Sequence, residues 1–453
     1  MKVHVFGGGK SVGSSCVVVE GKEDAILFDC GYNPVRPDVG IDFSRMNAIS
    51  SKIRAICITH FHVDHVGMLP WLTKFMDVPI YLSEPTQALL SLIIKDIHSG
   101  NNLFCQADFD KCISQCKPID PTMTKRITQN LSIRCIYAGH ALGAVMYEIL
   151  LDGKRIVYSG DFDVSPSFLL KGAQITSHAI DYLITESTCI NEQHKRRYEL
   201  YHYADCLLSA ARSGGSVQIV VNGIGRGQEV MGIVLSIVRR CHLTMPLCCS
   251  GGMLTKIANE YKRWKNWLRD DVHELVDNFS KYQMLSAQTN YIAITTPATL
   301  TKGHSLEVFE KIKNDPKSFV ILPSYVSSNP KTLKETGYQC KIIRTEDNNH
   351  SDGFGLQEAI RALQPKEVFL VHGDPLKMQK SQIFFQKLFN LPVHMPNNNE
   401  ALIINDSSHK KKKKSSKKKK VNKSKPPRLP PTLIEDHSKP KEVKKLLPFE
   451  DDV

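Results

Sequence analysis

The sequence predicts a layered α/β protein with a second α/β domain inserted into the first and a basic tail at its end. Three patterns support this prediction. Short apolar β-rich runs alternate with helical patterns over residues 1–190. Longer helical stretches alternate with strands over 191–345. The pattern of the first section then returns over 346–405, as expected for a domain that an insertion has split.

The first section begins with short strands bounded by Gly or polar turn residues, at KVHVF, CVVVEG, AILFDCG and IRAICIT. From Val66 the spacing predicts one amphipathic helix before the strand VPIYLS, and PTQALLSLIIKDIHS has helical spacing too. Further strands are predicted at LSIRCIYAG, VMYEILLDG, KRIVYSGDF and IDYLITEST. This section is therefore predicted to form alternating layers of sheet and helix.

The inserted section carries helical stretches such as YELYHYADCLLSAARSG and TKIANEYKRWKNWL between the strands VQIVVNGIG, YIAITTP and SFVILPSY. After it come the strand KEVFLVHGD and the helix MQKSQIFFQKLF. We expect these last two elements to pack with the first section.

The net charge of +13 is concentrated in the tail, residues 406–453. The tail holds 16 Lys or Arg and 7 Asp or Glu, whereas the preceding residues hold 43 basic and 39 acidic side chains. Its run HKKKKKSSKKKKVNKSKPPRLPP has no apolar period, which predicts disorder. The lysine run is typical of a nuclear-localisation or polyanion-binding patch, and a purely solubilising end is the alternative interpretation.

Several classes of protein are disfavoured by composition. The N-terminus has no apolar signal region, and no run of about 18 apolar residues occurs, so we expect neither secretion nor membrane insertion. The 13 cysteines include no C-x-x-C pair. This usage indicates reduced thiols in the cytosol or nucleus rather than a disulfide framework.

The most informative segment is THFHVDHVG, directly after the strand IRAICIT. It places His60, His62, Asp64 and His65 within six residues. On an extended loop, residues two apart face the same side, so His60 and His62 can hold one ion while Asp64 and His65 turn towards a second. Solvent-facing histidines are the competing interpretation, and this spacing makes it the weaker one.

Two metal ions need more donors than these four side chains supply. Further candidates stand where other strands end, each next to a glycine: His140 in YAGHALG, Asp161 in YSGDFD and His372 in FLVHGD. A single polar residue in such a place is usually a turn or cap residue. Three of them beside the histidine-rich segment favour additional metal ligands.

These metal-type positions, up to Asp161, resemble the ligand set of the metallo-β-lactamase fold. The motifs ESTCI, NNHSD and LVHGD are similar to the three added motifs of its β-CASP branch, whose members include nucleases. The resemblance spans about residues 1 to 405. It implies an αββα sandwich with an inserted β-CASP domain.

The resemblance also implies two bound Zn²⁺ ions. The ligands of the first ion would be His60, His62, His140 and Asp161, and those of the second would be Asp64, His65, Asp161 and His372. Asp161 would bridge the ions, since a carboxylate has two oxygens.

For catalysis, the resemblance implies phosphodiester hydrolysis by a metal-activated water, with Asp64, His350 and Glu186 as candidate catalytic residues. His350 of NNHSD matches the histidine that protonates the leaving oxygen, and Glu186 of ESTCI matches its acidic partner. A loop histidine and a residue near a helix cap are the alternative interpretations of these two positions. Arg226 of GRGQEV also has two interpretations, a phosphate ligand or an ion pair with Glu229.

A histidine in the third added motif resembles the RNA-processing members of the branch, so His372 favours RNA as substrate. The resemblance then implies a nuclear enzyme of RNA 3′-end processing, for pre-mRNA or small nuclear RNA, within a complex that includes a homologous silent subunit. Three alternatives stay open: a catalytically silent RNA-binding scaffold, a DNA-repair nuclease, and a small-ester or thioester hydrolase.

Overall fold

The structure is a computed structural model. It describes residues 1–33, 36, 40–100, 104–193, 196–284, 290–323, 333, 337–346 and 348–404. The predicted tail at 406–453 lies outside the described residues.

The strands within these residues are numbered in chain order: β1 (Lys2–Gly7), β2 (Cys16–Glu20), β3 (Ala25–Phe28), β4 (Ile53–Cys57), β5 (Ile80–Leu82), β6 (Cys116–Pro118), β7 (Thr124–Arg126), β8 (Leu131–Tyr137), β9 (Val145–Leu151), β10 (Lys154–Tyr158), β11 (Tyr182–Glu186), β12 (Val217–Val220), β13 (Leu247–Cys249), β14 (Gln283–Met284), β15 (Ile292–Thr295), β16 (Phe319–Leu322), β17 (Lys341–Arg344), β18 (Glu367–Val371), β19 (Val393–His394) and β20 (Glu400–Ile403).

The helices are numbered in the same way: α1 (Phe43–Asn47), α2 (Val63–Val66), α3 (Leu69–Leu72), α4 (Glu84–Gly100), α5 (Gln106–Gln115), α6 (Arg196–Ser213), α7 (Arg226–Arg240), α8 (Met253–Arg263), α9 (His273–Asp277), α10 (Gly303–Ile312), α11 (Gly353–Leu363) and α12 (Pro375–Phe389). Short 3-10 helices occur at Ser50–Lys52, Lys265–Trp267, Asp270–Val272 and Asn278–Lys281.

Two seven-stranded sheets form a sandwich. The first has the order β20-β1-β2-β3-β4-β5-β6, and the second has the order β19-β18-β11-β10-β9-β8-β7. Their inner faces share one apolar cluster, in which Phe28 of the first sheet stacks on Tyr158 of the second with ring centroids 4.6 Å apart. At the start of β8, the buried residues Leu131, Ile133 and Cys135 alternate with the more exposed Ser132 and Arg134, so one face of the strand is buried there.

Helices cover the outer faces of both sheets. Leu89 of α4 and Phe109 of α5 belong to the apolar cluster that includes Leu27 of β3, and Leu356 of α11 belongs to the same cluster as Val157 of β10. Burial of these apolar stripes drives the layers together. The predicted αββα sandwich is therefore confirmed.

A third sheet lies within the inserted section. Its six strands run β14-β13-β15-β12-β16-β17, and every pairing between them is parallel. Afterwards the chain returns to the sandwich, because β18 pairs with β11 and β20 pairs with β1. The inserted α/β unit is thus present, while the exact boundaries at 190/191 and 345/346 stay predictions.

The single amphipathic helix predicted from Val66 is wrong. The chain instead forms the two short helices α2 and α3, separated by Gly67 and Met68. Pro70 lies in the first turn of α3, where its missing N–H is harmless, but it cannot continue a helix that began a full turn earlier.

Parallel pairing brings several polar residues to one edge of the sandwich. Strand β3 pairs in parallel with β4, and β10, β11 and β18 are parallel neighbours. Their carboxyl ends therefore meet, and the residues that follow them face a common space.

Within the described residues, no helix is both long and apolar enough to cross a bilayer.

Candidate metal centre

One group of three imidazoles lies at this edge. His60 and His62 follow β4, and His62 is the residue before the first turn of α2, whereas His140 follows β8. His62 Nδ1 lies 2.9 Å from His60 Nε2 and 3.2 Å from His140 Nε2. Three ring nitrogens that face one another so closely form a site that can hold a metal ion.

A second group combines carboxylates and imidazoles. Its members are Asp64 and His65 of α2, Asp161 after β10 and His372 after β18. His372 Nε2 lies 3.2 Å from Asp64 Oδ2, and His65 Nε2 lies 3.4 Å from Asp161 Oδ2. The structure thus brings together all of the side chains that the sequence analysis selected as metal ligands.

Asp161 lies between the two groups. Its Oδ2 is 3.9 Å from His60 Nε2 and 3.8 Å from His140 Nε2, and its Oδ1 is 3.3 Å from His372 Nδ1. This buried carboxylate therefore lies against members of both groups. A bridging position between two ions is the geometry that such a placement permits.

Asp29, which the sequence analysis did not select, orients the second group. It follows β3 with a φ of 56° and is fully buried. Its carboxylate contacts His65 Nδ1 at 2.8 Å and accepts hydrogen bonds from Thr59 N at 2.8 Å and Tyr158 Oη at 3.1 Å. A carboxylate behind a ligating histidine fixes the ring so that its other nitrogen faces the metal.

Hydrogen bonds also orient the first group. His60 Nδ1 lies 3.1 Å from Thr59 Oγ1, so Thr59 links the first group to Asp29, which itself contacts His65 of the second group. His140 Nδ1 donates to the carbonyl oxygen of Asn349 at 2.7 Å, which leaves Nε2 for the site. The nitrogens that face inwards are therefore set by the partners of the outer nitrogens.

The electrostatics of the first group favour neutral rings. Burial and the neighbouring imidazoles hold the pKa of His60 well below its ordinary value. Burial and the nearby His140 lower the pKa of His62 to about 3, and burial and the nearby His350 lower the pKa of His140 to about 4. Neutral imidazole is the form that coordinates metals.

The second group has the opposite balance. Burial disfavours a charged His65, but the carboxylates of Asp161, Asp29 and Asp64 outweigh it and raise the pKa of this ring well above its ordinary value. For Asp161 burial favours the neutral acid, yet His372 and His65 keep its pKa well below the ordinary range. Positive charge is strongly stabilised here, as a cation site requires.

One buried nitrogen atom, His65 Nε2, is particularly suited to bind a cation. Among the described residues His65 Nε2 has no hydrogen-bond partner, although His65 is 1% exposed. A buried ring nitrogen that points at carboxylates without a hydrogen bond is costly unless a ligand completes it. Nitrogen and carboxylate donors together suit a borderline-soft divalent ion, so the residues present fit a metal-binding site.

A histidine–carboxylate pair, His350 and Glu186, lies beside the candidate metal ligands. His350 Nδ1 lies 2.8 Å from Glu186 Oε2 and 3.9 Å from Asp161 Oδ2. Burial disfavours a charged His350, but Glu186 and Asp161 more than offset it and raise its pKa to about 9. The structure thus places both sequence-selected residues against the site, with His350 next to Asp161.

The inserted section contacts the site through the start of α7. Gly225 has a φ of +77°, and a Cβ built on it would lie 3.2 Å from His62 Nε2. The backbone at Gly225 therefore lies close to the Nε2 edge of this ring. Arg226 follows as the first residue of α7, partly buried, and both interpretations of it stay predictions.

Strand-end imidazoles and carboxylates on an αββα sandwich define the class of the protein, a metallo-hydrolase with a metallo-β-lactamase fold. Family models agree: residues 10–102 match the metallo-beta-lactamase superfamily, and residues 339–396 match the Zn-dependent metallo-hydrolase RNA specificity domain. These matches and the fold support the predicted resemblance to the metallo-β-lactamase superfamily and its β-CASP branch.

Similar curated proteins cover most of the chain. Integrator complex subunit 11 of Gallus gallus is 27% identical over 437 residues, which are 88% of this chain and 73% of that protein. Cleavage and polyadenylation specificity factor subunit 3-II of Arabidopsis thaliana is 28% identical over 439 residues, covering 87% of this chain and 71% of that protein. The Integrator complex subunit 11 homolog of Dictyostelium discoideum is 29% identical, covering 83% and 58%.

A solved structure supports the fold alone. A protein of unknown function from Enterococcus faecalis V583 superposes with a TM-score of 0.58 at 13% identity, covering 89% of this chain and 99% of that chain.

Proposed function

We propose that this protein is a two-zinc endoribonuclease that hydrolyses phosphodiester bonds during RNA 3′-end processing. The observation that carries the proposal is the pair of ligand groups that share one buried carboxylate, Asp161. One zinc ion would be held by His60, His62, His140 and Asp161, and the other by Asp64, His65, Asp161 and His372.

When bound, two zinc ions supply an acidified water as nucleophile and offset negative charge on the phosphate oxygens. The chain's own residues do the rest. Asp161 and Asp64 offer carboxylates at adjacent positions, and Asp29 holds the ring of His65. His60, His65 and Asp161 are buried, which strengthens their electrostatic interactions.

The leaving 3′ oxygen needs a proton, and His350 is the residue that we assign to supply it. Burial disfavours a charged ring, but the adjacent Glu186 carboxylate raises the pKa of His350 and favours the protonated form. Glu186 holds His350 by the 2.8 Å contact, and Glu186 itself accepts a hydrogen bond from Phe162 N at 2.9 Å. Proton delivery to the leaving group is general acid catalysis.

RNA is the proposed substrate for two reasons. His372 occupies the third added motif, as in RNA-processing members of the branch, and the family model over residues 339–396 is described as an RNA specificity domain. The similar proteins are named as subunits of Integrator and of the cleavage and polyadenylation specificity factor. We therefore propose a nuclear location, with a homologous silent subunit and other processing proteins as partners.

Three other functions are competing candidates. A small-ester or thioester hydrolase of the same fold is disfavoured by the inserted helical section, and turnover of the ester without RNA cleavage would favour it. A catalytically silent scaffold would be expected to lack ligands, whereas every selected position carries a metal-type side chain. A DNA-repair nuclease has the same metal chemistry and is disfavoured by His372. The choice between them is a matter of experiment.

The test uses the purified full chain, Asp64→Ala and, as matched control, Asp110→Ala, which removes an exposed carboxylate on α5. Each protein is incubated with end-labelled RNA, end-labelled DNA and a chromogenic ester, and its metal content is measured. We expect cleavage of RNA by wild type and control but not by Asp64→Ala. Equal cleavage by all three proteins contradicts the mechanism, DNA cleavage favours the repair nuclease, and binding without cleavage favours the scaffold.

A further inference from the structure

The segment from Asp161 to Leu170 runs from the metal centre to the inserted section. It ends in a turn in which Ser167 N donates to the carbonyl oxygen of Leu170 at 3.1 Å and Leu170 N donates to Ser167 Oγ at 3.1 Å. We call residues 167–170 the docking turn. Both ends of this segment are fixed by hydrogen bonds, and the two sets of partners come from different parts of the chain.

At its far end the docking turn meets Glu229, a residue of α7 that is 0% exposed. One carboxylate oxygen, Oε1, accepts a hydrogen bond from Ser167 Oγ at 2.7 Å, and the other, Oε2, accepts one from Leu169 N at 3.1 Å. Burial of a carboxylate is costly unless both oxygens are satisfied, so these bonds hold the turn in one orientation.

Further contacts fit the docking turn to the inserted section. At Gly232, one turn along α7 from Glu229, a Cβ would lie 2.7 Å from Leu169 Cδ2, so the leucine packs directly on the helix backbone. Arg269 N donates to Leu169 O at 2.9 Å, and Arg269 Nη1 donates to Ser167 O at 3.2 Å. The docking turn is therefore held by α7 on one side and by Arg269 on the other.

At its near end the segment is bonded to the proposed proton donor. Ser351 N donates to Phe162 O at 2.7 Å, and Val164 N donates to Ser351 Oγ at 3.2 Å, so the residue next to His350 is tied to the two residues that flank Asp163. Phe162 N is also the donor to Glu186. A shift of this segment would therefore move Asp161, Glu186 and His350 together.

We propose that Glu229 is a positioning residue for the nuclease: through the docking turn it sets the placement of Asp161 and His350 relative to α7. The proposal rests on the proposed function, and Glu229 acts through the docking turn rather than on the substrate. Gly225, the N-cap residue of α7, lies against His62. The helix therefore contacts the site at its start, and through Glu229 it also holds the segment that begins at Asp161.

The experiment compares full-length wild type with Glu229→Gln, Ser167→Ala and the double variant. Glu274→Gln is the matched control, because it changes an exposed glutamate of α9 that pairs with Arg239. Three readouts are used: hydrogen exchange of peptides over 161–170 and 348–355, the visible spectrum of the cobalt-loaded protein, and kcat and KM for RNA cleavage. The first two need no catalytic turnover.

We expect Glu229→Gln to speed exchange in both peptides, to change the cobalt spectrum and to lower kcat about tenfold or more with little change in KM, since small displacements at a reacting centre are costly. Ser167→Ala should act in the same direction, and the double variant should be scarcely worse than Glu229→Gln. Glu274→Gln should match wild type.

An unchanged cobalt spectrum together with unchanged exchange at 348–355 overturns the proposal, even if the variant is less stable. If wild type cleaves no RNA, the proposed function fails, but exchange and the cobalt spectrum still decide whether Glu229 positions the site. If Glu229→Gln does not fold, Ser167→Ala tests the same contact, because it removes the partner of the 2.7 Å bond instead.

Discussion

The sandwich and the inserted sheet end their parallel strands in different chemistry. In the sandwich, the residues after β4, β10 and β18 are metal-type side chains, among them His60, Asp161 and His372. In the inserted sheet, the residues after β13 and β15 are Ser250 and Thr296, whose hydroxyls lie 3.0 Å apart. The metal-type groups found among the described residues all belong to the sandwich.

The difference shows that the arrangement of parallel strands creates a site at their carboxyl ends, whereas the residue types at that site determine its chemistry. Parallel strands bring their ends together in both units, but hydroxyls satisfy one another and stay neutral. Buried imidazoles and carboxylates cannot do so without a cation or a proton. Chemistry is therefore expected from the sandwich, and covering and support from the inserted section.

The largest effect that would sharpen this comparison is expected from His350→Ala. Loss of the general acid should lower kcat for RNA cleavage by about a hundredfold or more. The corresponding change in the inserted sheet, Ser250→Ala, should leave kcat near the wild-type rate. Single-turnover cleavage of end-labelled RNA measures both variants, and comparable losses in the two would break the comparison.

A smaller effect is expected from Asp29→Asn. The amide is close to isosteric but cannot carry the charge that faces His65 Nδ1 at 2.8 Å. Changes behind a ligating histidine typically cost about 10- to 100-fold in metal affinity or activity. Metal titration of the demetallated protein measures the affinity directly, and wild-type affinity would show that Asp29 only fills space.

How far the sequence predicts this site depends on the kind of residue. The positions of the candidate ligands were predictable because four lie within one short motif and the others follow apolar strands next to glycine. Asp29 was missed because a single Asp before Cys-Gly at a strand end resembles a turn residue, and its partner His65 is 36 residues away.

The contacts between the inserted section and the sandwich were not predictable either, because they also join residues that are far apart in the sequence. The sequence analysis considered Glu229 only as an ion-pair partner of its helix neighbour Arg226, which stays a prediction, and it did not foresee the bonds of Glu229 to Ser167 and Leu169, about 60 residues earlier. Such bonds depend on how two separate layers meet. Hydrophobic periodicity describes each layer but carries no information on their relative placement.

A still smaller effect on activity is expected from Gly225→Ala. The added methyl would lie 3.2 Å from His62 Nε2 at a φ of +77°, so the ring or the helix start must shift, and we expect RNA cleavage to fall about tenfold. Gly214→Ala is the matched control, since Gly214 has a φ of +75° with nothing within 4 Å.

Gly214→Ala should cost about 1 kcal/mol of unfolding free energy through its backbone alone and leave cleavage unchanged. Equal cleavage by the two alanine variants would mean that the contact over His62 is not needed.

The smallest effect on activity is expected from Gln218→Leu in β12. Gln218 is buried in the inserted sheet and donates to Thr295 Oγ1 at 2.9 Å and to Ser305 O. Removing the amide leaves these acceptors buried, so the free energy of unfolding should fall by about 1–3 kcal/mol. Urea denaturation measures this loss, while RNA cleavage should stay near the wild-type rate; a large loss of cleavage in the folded variant would break the comparison.

The pairing of β11 with β18 has a consequence for biosynthesis. The two strands are partners although the whole third sheet separates them in the chain, and Tyr182 lies opposite Glu367. A nascent polypeptide that has left the ribosome only as far as β17 lacks both His350 and His372. The candidate metal centre therefore stays incomplete until the last part of the sandwich emerges, so translation itself delays the moment at which the proposed metal site can form.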